Sequence, residues 1–92
     1  MENFQIGNIV ISKVGRDKGK IFVVVKIEKG YVYLADGKSR KIQNPKKKKI
    51  KHVQPTNKVI NNLKNKIENE EKVTNADIRK ELSVYQDDPE LS

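Results

Sequence analysis

The sequence has 92 residues, no cysteine and a formal net charge of +8. This length fits one small domain, and the lack of cysteine excludes a disulfide framework and a thiolate metal site. No apolar run reaches transmembrane length and no signal-peptide core opens the chain, so the sequence predicts a soluble cytoplasmic protein.

The charge is concentrated in the first part of the chain. Residues 1–54 contain fourteen Lys and Arg against four Asp and Glu, whereas residues 55–92 contain six against eight. An excess of ten positive charges on a small body attracts polyanions, of which nucleic acid is the commonest. A membrane partner is not expected, because the basic residues lie in predicted β-structure and not in an amphipathic helix.

Five short strands are predicted in this basic half. The run IFVVVKIE alternates so that Ile21, Val23, Val25 and Ile27 share one face. Tight turns between the runs favour a small barrel or sandwich over an open sheet. The predicted strands span residues 6–12, 21–28, 31–35, 39–43 and 50–54.

Turn residues separate these strands. Asp36-Gly37 predicts a type I′ hairpin turn, and Asn44-Pro45 and Pro55 predict strand ends. The segment 13–20 carries two glycines and five charges, which predicts a loop. Asp17 and Asp36 both fall in predicted turns, where Asp commonly makes local hydrogen bonds.

Residues 55–85 predict two short helices, and residues 86–92 an acidic disordered tail. Thr56 or Asn57 is expected to cap the first helix, and Thr74-Asn75-Ala76-Asp77 resembles a capping box for the second. Helices this short need a packing surface, which is the barrel, the other helix or a partner. Their apolar stripes comprise Val59, Ile60, Leu63 and Ile67 in the first helix, and Ile78, Leu82 and Tyr85 in the second.

The run IGNIVISKVGRDKGKIFVVVKI at residues 6–27 resembles the KOW motif of ribosomal proteins and NusG-type transcription factors. That motif is a strand, a glycine-bearing basic loop and a second strand, and Gly19 lies where its hallmark glycine is expected. Many KOW sequences have a further glycine after the loop, which this chain lacks. With the downstream run YVYLADGKSRKI, this makes it more similar to the archaeal-eukaryotic large-subunit ribosomal branch and its small bacterial relatives.

The resemblance covers residues 4–54 and implies a domain organisation. We expect a mainly β protein, with a five-stranded SH3-like barrel at residues 1–54 that binds RNA, a helical extension at 55–85 and the acidic tail. The resemblance does not extend to the helices, so their role stays open.

The resemblance also implies that the loop contacts RNA. Glycines let the backbone approach a phosphate, which neighbouring amide and ammonium groups can then bind. The alternative is that the glycines only permit a tight turn and the lysines are solvated. The candidate residues are Lys13, Gly15, Arg16, Lys18, Gly19 and Lys20.

A second basic cluster follows the loop in sequence. Consecutive lysines repel one another, so such a run is favourable when a polyanion neutralises it. A solubilising loop or a general Lys and Asn bias is the alternative, although a bias does not explain why carboxylates collect in the other half. The candidate residues are Lys38, Arg40, Lys41, Lys46, Lys47, Lys48, Lys49 and Lys51.

The chain has seventeen lysines and three arginines. Lysine suits phosphate better than base edges, so recognition of backbone and shape is expected. Tyr31 and Tyr33 share a strand face and are candidates for base stacking, with strand-surface packing as the alternative. No catalytic residue, metal ligand or cofactor is predicted, since His52 is the single histidine and no P-loop or acid-base pair is present.

The sequence therefore predicts a non-catalytic RNA-binding protein, ribosomal or ribosome-associated, that contacts large-subunit rRNA, with ribosomal proteins as further candidate partners. The alternative is a protein-interaction module of NusG type that binds RNA polymerase or another translation or transcription factor. A third reading makes the helical stripe a dimerisation or partner-binding arm. The oligomeric state is not determined by the sequence, and a monomer is favoured.

Overall fold

The computed structural model describes residues 4–86. It contains a five-stranded antiparallel sheet, in the order β4-β3-β2-β1-β5, followed by two helices. The predicted mainly β fold with C-terminal helices is therefore confirmed. The elements are β1 (Asn8–Ser12), β2 (Ile21–Glu28), β3 (Tyr31–Ala35), β4 (Lys46–Lys49), a 3₁₀ turn (Ile50–His52), β5 (Val53–Val59), α1 (Asn61–Glu68) and α2 (Asn75–Ser83).

One face of the sheet forms a core of its own. Its buried members are at most 2% exposed, and all of them come from strands. Within residues 4–86 neither α-helix contributes to this core, and Phe4, Ile27 and Ile50 pack against it. The strands β4 and β5 form the two edges and do not pair with each other, so the expected closed barrel is an open, curled sheet. This inner core comprises Val10, Phe22, Val24, Val32, Leu34 and Val53.

The helices cover the opposite face. Leu63 of α1 and Ile78 and Leu82 of α2 are fully buried against strand residues. The apolar stripes of the two helices therefore pack on the sheet of the same chain. This is the packing that the sequence left open as an alternative to a dimerisation arm. The strand side of this outer core comprises Ile9, Val23, Val25 and Ala35.

A β-bulge in β2 changes which residues share a face. The register between β2 and β3 shifts between Val24 and Lys26. An extra residue reverses the alternation beyond it. Val25 consequently packs in the outer core and Ile27 against the inner core, so the prediction that they share a face is wrong.

The segment after β3 is irregular and not the predicted strand 39–43. The Asp36 carboxylate accepts hydrogen bonds from the backbone N–H groups of Lys38 and Arg40, at 2.8 and 2.9 Å. The Asn75 side chain accepts a third, from Ile42 N–H, at 2.8 Å. Side-chain oxygens thus accept the hydrogen bonds of backbone N–H groups that would pair with a neighbouring strand if this segment were part of the sheet. The predicted type I′ turn is also wrong, because only Gly37 of its central pair has positive φ.

The last strand runs further than the sequence indicated. Residues 50–52 form the 3₁₀ turn, and β5 passes through Pro55, which an edge strand tolerates. Thr56 is not a helix cap, since its hydroxyl donates to the Ile9 carbonyl at 2.6 Å. The first helix accordingly begins at Asn61, and Val59 belongs to β5.

The predicted capping box of α2 is confirmed. The Thr74 hydroxyl accepts a hydrogen bond from Asp77 N–H, and the Asp77 carboxylate accepts one from Thr74 N–H, both at 3.0 Å. Neither α1 nor α2 has the length and hydropathy that a bilayer crossing requires. The predicted acidic tail lies outside the described residues, apart from Gln86.

Candidate nucleic-acid interface

The loop between β1 and β2 is closed by backbone hydrogen bonds and presents its cations to solvent. Gly19 N–H donates to the Ser12 carbonyl at 2.8 Å, and Lys18 N–H donates to the Gly15 carbonyl at 3.2 Å. Both glycines have positive φ, +82° and +86°, which the turn requires. The predicted contact residues of this loop are exposed, namely Lys13, Gly15, Arg16, Lys18, Gly19 and Lys20.

An ion pair joins this loop to the second basic segment. The Arg40 guanidinium donates to one oxygen of Asp17, from Nη2 at 2.9 Å and from Nε at 3.3 Å. The Asp17 side chain is 8% exposed and that of Arg40 31%. Asp17 is thus more than a turn residue, because its main partner lies 23 positions away. Sequence reasoning assigned it only local hydrogen bonds.

The charges around Asp17 keep it ionised. Burial raises the pKa of its carboxyl, but the hydrogen bond and charge of Arg40, with the charges of Lys48 and Lys20, outweigh this effect and lower the pKa overall.

A lysine from the edge strand β4 also binds the loop. The Lys48 ammonium donates to the Val14 carbonyl at 2.8 Å and to the Ser12 hydroxyl. This side chain joins the edge strand β4 to the end of β1 and the loop that follows it. Lys48 therefore holds the loop in place, a role that the sequence did not indicate for one member of a lysine run.

Two concave surfaces lie beside the loop, and Arg40 and Lys48 line one of them. The first measures about 280 Å³ and is lined by Val14, Gly15, Arg16, Asp17, Arg40, Lys46 and Lys48. The second measures about 470 Å³ and is lined by Gly19, Lys20, Ile21, Asp36, Lys38, Ser39 and Gln86. The two basic segments predicted from the sequence are therefore neighbours in space.

The four-lysine run forms β4, where the sequence predicted no strand. Lys46 and Lys48 project on the side of the inner core, and Lys47 and Lys49 on the opposite side. Lysines on an edge strand also discourage pairing with another sheet, which is a structural alternative to ligand binding. Lys38, Lys41 and Lys51, outside the strand, are exposed. The register pairs Tyr31 with Lys49, Val32 with Lys48, Tyr33 with Lys47 and Leu34 with Lys46.

Lysine ammonium groups lie over the two tyrosine rings. Lys47 Nζ is 4.5 Å from the ring centroid of Tyr31, and Lys26 Nζ is 5.1 Å from that of Tyr33. The Tyr33 hydroxyl donates to Glu28 at 2.6 Å. This hydrogen bond, with the charges of Lys26 and Lys47, lowers the pKa of Glu28 against a smaller effect of burial. The arrangement favours surface packing, since a stacked base would have to displace the ammonium groups.

The structure predicts a pH-dependent contribution from Asp17. Its pKa in the folded protein is below the ordinary value of 3.8, so its ionised form stabilises the fold above that pH, and the contribution is lost as the pH falls below it. We expect the unfolding free energies of the wild type and Asp17→Asn to differ at pH 6 and to converge near pH 2. Urea denaturation at both pH values measures this. A difference that does not change with pH would contradict the ion pair's role.

Comparison of the sequence with models of known protein families gives no match, and comparison with curated proteins gives none either.

Proposed function

We propose that this protein is a non-catalytic RNA-binding protein, ribosomal or ribosome-associated, that binds the phosphate backbone of structured RNA. The loop 13–20 and the segment 38–51 supply the contacts. The observation that carries the proposal is their adjacency, which the Arg40–Asp17 ion pair and the Lys48–Val14 hydrogen bond maintain.

The charge of these two segments supports a polyanionic ligand. Together they contain twelve Lys and Arg against a single carboxylate, Asp17. Within residues 4–86 their ion pairs go to Asp17 and Glu28, and none goes to an acid of the helical region. The fold therefore leaves most of this charge for an external partner, and a field of this strength favours nucleic acid.

The chemistry of the cations favours backbone recognition. Ten of the twelve are lysines, which bind phosphate as point charges and read base edges poorly. The resemblance of residues 6–27 to the KOW motif supports ribosomal RNA as the ligand.

Salt dependence tests the proposal. Neutralising about five phosphates gives a slope of about −4 for log K against log salt, so affinity for a large-subunit rRNA fragment should fall more than about 10²-fold from about 50 to about 200 mM KCl. Fluorescence anisotropy with the full chain measures this. Binding that is absent at low salt, or indifferent to salt, would refute the proposal.

Sedimentation of native lysate tests the ribosomal part of the proposal. We expect the protein to travel with the large subunit in a sucrose gradient and to leave that fraction after nuclease treatment. Retention on RNA polymerase or another protein after nuclease treatment would instead support the protein-interaction alternative.

A further inference from the structure

We infer that the concavity of about 280 Å³ between the loop and β4 is a discrete pocket for one phosphodiester group, in which Asp17 positions Arg40. This inference rests on the RNA-binding function proposed above and adds to it a specific ligand group and a specific positioning residue.

The lining of the pocket suits a single anion. Four cations, Arg16, Arg40, Lys46 and Lys48, surround one carboxylate, which leaves three net positive charges. Gly15 adds no side chain, and a Cβ there would lie 4.0 Å from Lys48 Nζ. The backbone thus comes close to the cationic wall without filling the space in front of it.

Two of these cations are already held in place. Arg40 donates through Nε and Nη2 to Asp17, and its Nη1 group is not engaged by that carboxylate. Lys48 uses two of its three donors on Ser12 and Val14. Fixed side chains lose less conformational entropy when a ligand binds, so Arg40 and Lys48 can bind phosphate at a lower cost than solvated lysines. Arg16 and Lys46 are exposed and can close over the ligand from the rim.

The role of Asp17 has a distinctive consequence. If Asp17 were only a negative charge in a basic surface, removing that charge would strengthen RNA binding. If it positions Arg40, removing the charge frees the guanidinium and weakens binding, although the protein becomes more positive. The two roles therefore predict opposite signs for the same substitution.

The test compares Asp17→Asn with Glu71→Gln, a matched control at an exposed position between the helices. Each variant gains one unit of positive charge. We expect Asp17→Asn to weaken RNA binding by roughly three- to tenfold, the effect of losing about one phosphate contact at ~0.1 M salt, and Glu71→Gln to leave the affinity unchanged or slightly higher. Circular dichroism confirms that both are folded at the assay temperature.

A second variant keeps the test valid if Asp17→Asn does not fold. Arg40→Lys keeps the charge but lacks the planar fork, so it should weaken binding similarly while leaving the salt slope unchanged. In the wild type, inorganic phosphate should shift the Nε–H resonance of Arg40 and not that of Arg79, which lies on α2 and donates to the Gly37 carbonyl.

The outcomes separate the two proposals. If the wild type fails to bind RNA, the proposed function fails. If the wild type binds RNA and a folded Asp17→Asn binds as tightly or more tightly, the pocket inference alone is wrong. If Asp17→Asn does not fold, unchanged binding by Arg40→Lys overturns the inference in the same way. A phosphate-induced shift at neither arginine would likewise overturn the pocket.

Discussion

Replacing Arg16, Lys18 and Lys20 together with Gln is expected to lower the affinity for structured RNA by about 500-fold at ~0.1 M salt. Each phosphate contact contributes about 0.9 to the salt slope, so three lost contacts reduce the slope by about 2.7. All three side chains are exposed on the loop, so we expect each substitution to change the free energy of unfolding by no more than about 0.5 kcal/mol.

A control with the same charge isolates the position of these cations. Lys66, Lys72 and Lys80 lie in the helical region, and their replacement with Gln also removes three positive charges. Because screening weakens the effect of charges beyond about 8–10 Å, this variant should lose only a few-fold in affinity. Anisotropy titrations of both variants across a salt series measure the two slopes. Equal losses would show that net charge alone drives binding and that the loop is not the site.

Local signals accounted for much of the fold. The strands β2 and β3, the glycine loop between β1 and β2, and the Thr74–Asp77 capping box were all readable, because each depends on residues a few positions apart. The errors begin at the bulge in β2, which reverses the alternation before Ile27, and continue at Asp36, where hydrogen bonds from side chains replace a ladder. Asn75, more than thirty residues away, completes that arrangement, and no local pattern reveals such a partner.

In the candidate site, too, local features could be predicted from the sequence, whereas contacts between distant residues could not. Composition identified the basic loop and the lysine run, yet not which of these cations the fold itself uses. Lys48 and Arg40 are held by Val14 and Asp17 across 34 and 23 positions, so their roles depend on tertiary structure. The KKKK run carries no strand signal because lysine is disfavoured in strands, and pairing with β3 overrides that preference.

Gly37→Ala is expected to destabilise the fold by about 3 kcal/mol and to lower Tm by about 12–24 °C. Gly37 has φ +78°, and a Cβ there would collide with the Asn75 carbonyl oxygen and lie 2.9 Å from Arg79 Cγ. The nearest obstacle is backbone, so α2 would have to move away. That movement would break the hydrogen bond of 2.7 Å from Arg79 to the Gly37 carbonyl.

Gly30→Ala is the matched control, because it shares the conformation without the crowding. Gly30 has φ +80°, and among residues 4–86 a Cβ there would meet no atom within 4 Å apart from its chain neighbours. It should therefore incur only the conformational cost of about 1–2 kcal/mol. Urea denaturation measures the loss in unfolding free energy for both variants. The additional loss in Gly37→Ala relative to Gly30→Ala measures the contribution of α2 packing on the turn at 36–44. Equal losses would mean that α2 does not rest on this turn in solution, and that the close approach of Gly37 to Asn75 and Arg79 does not contribute to stability.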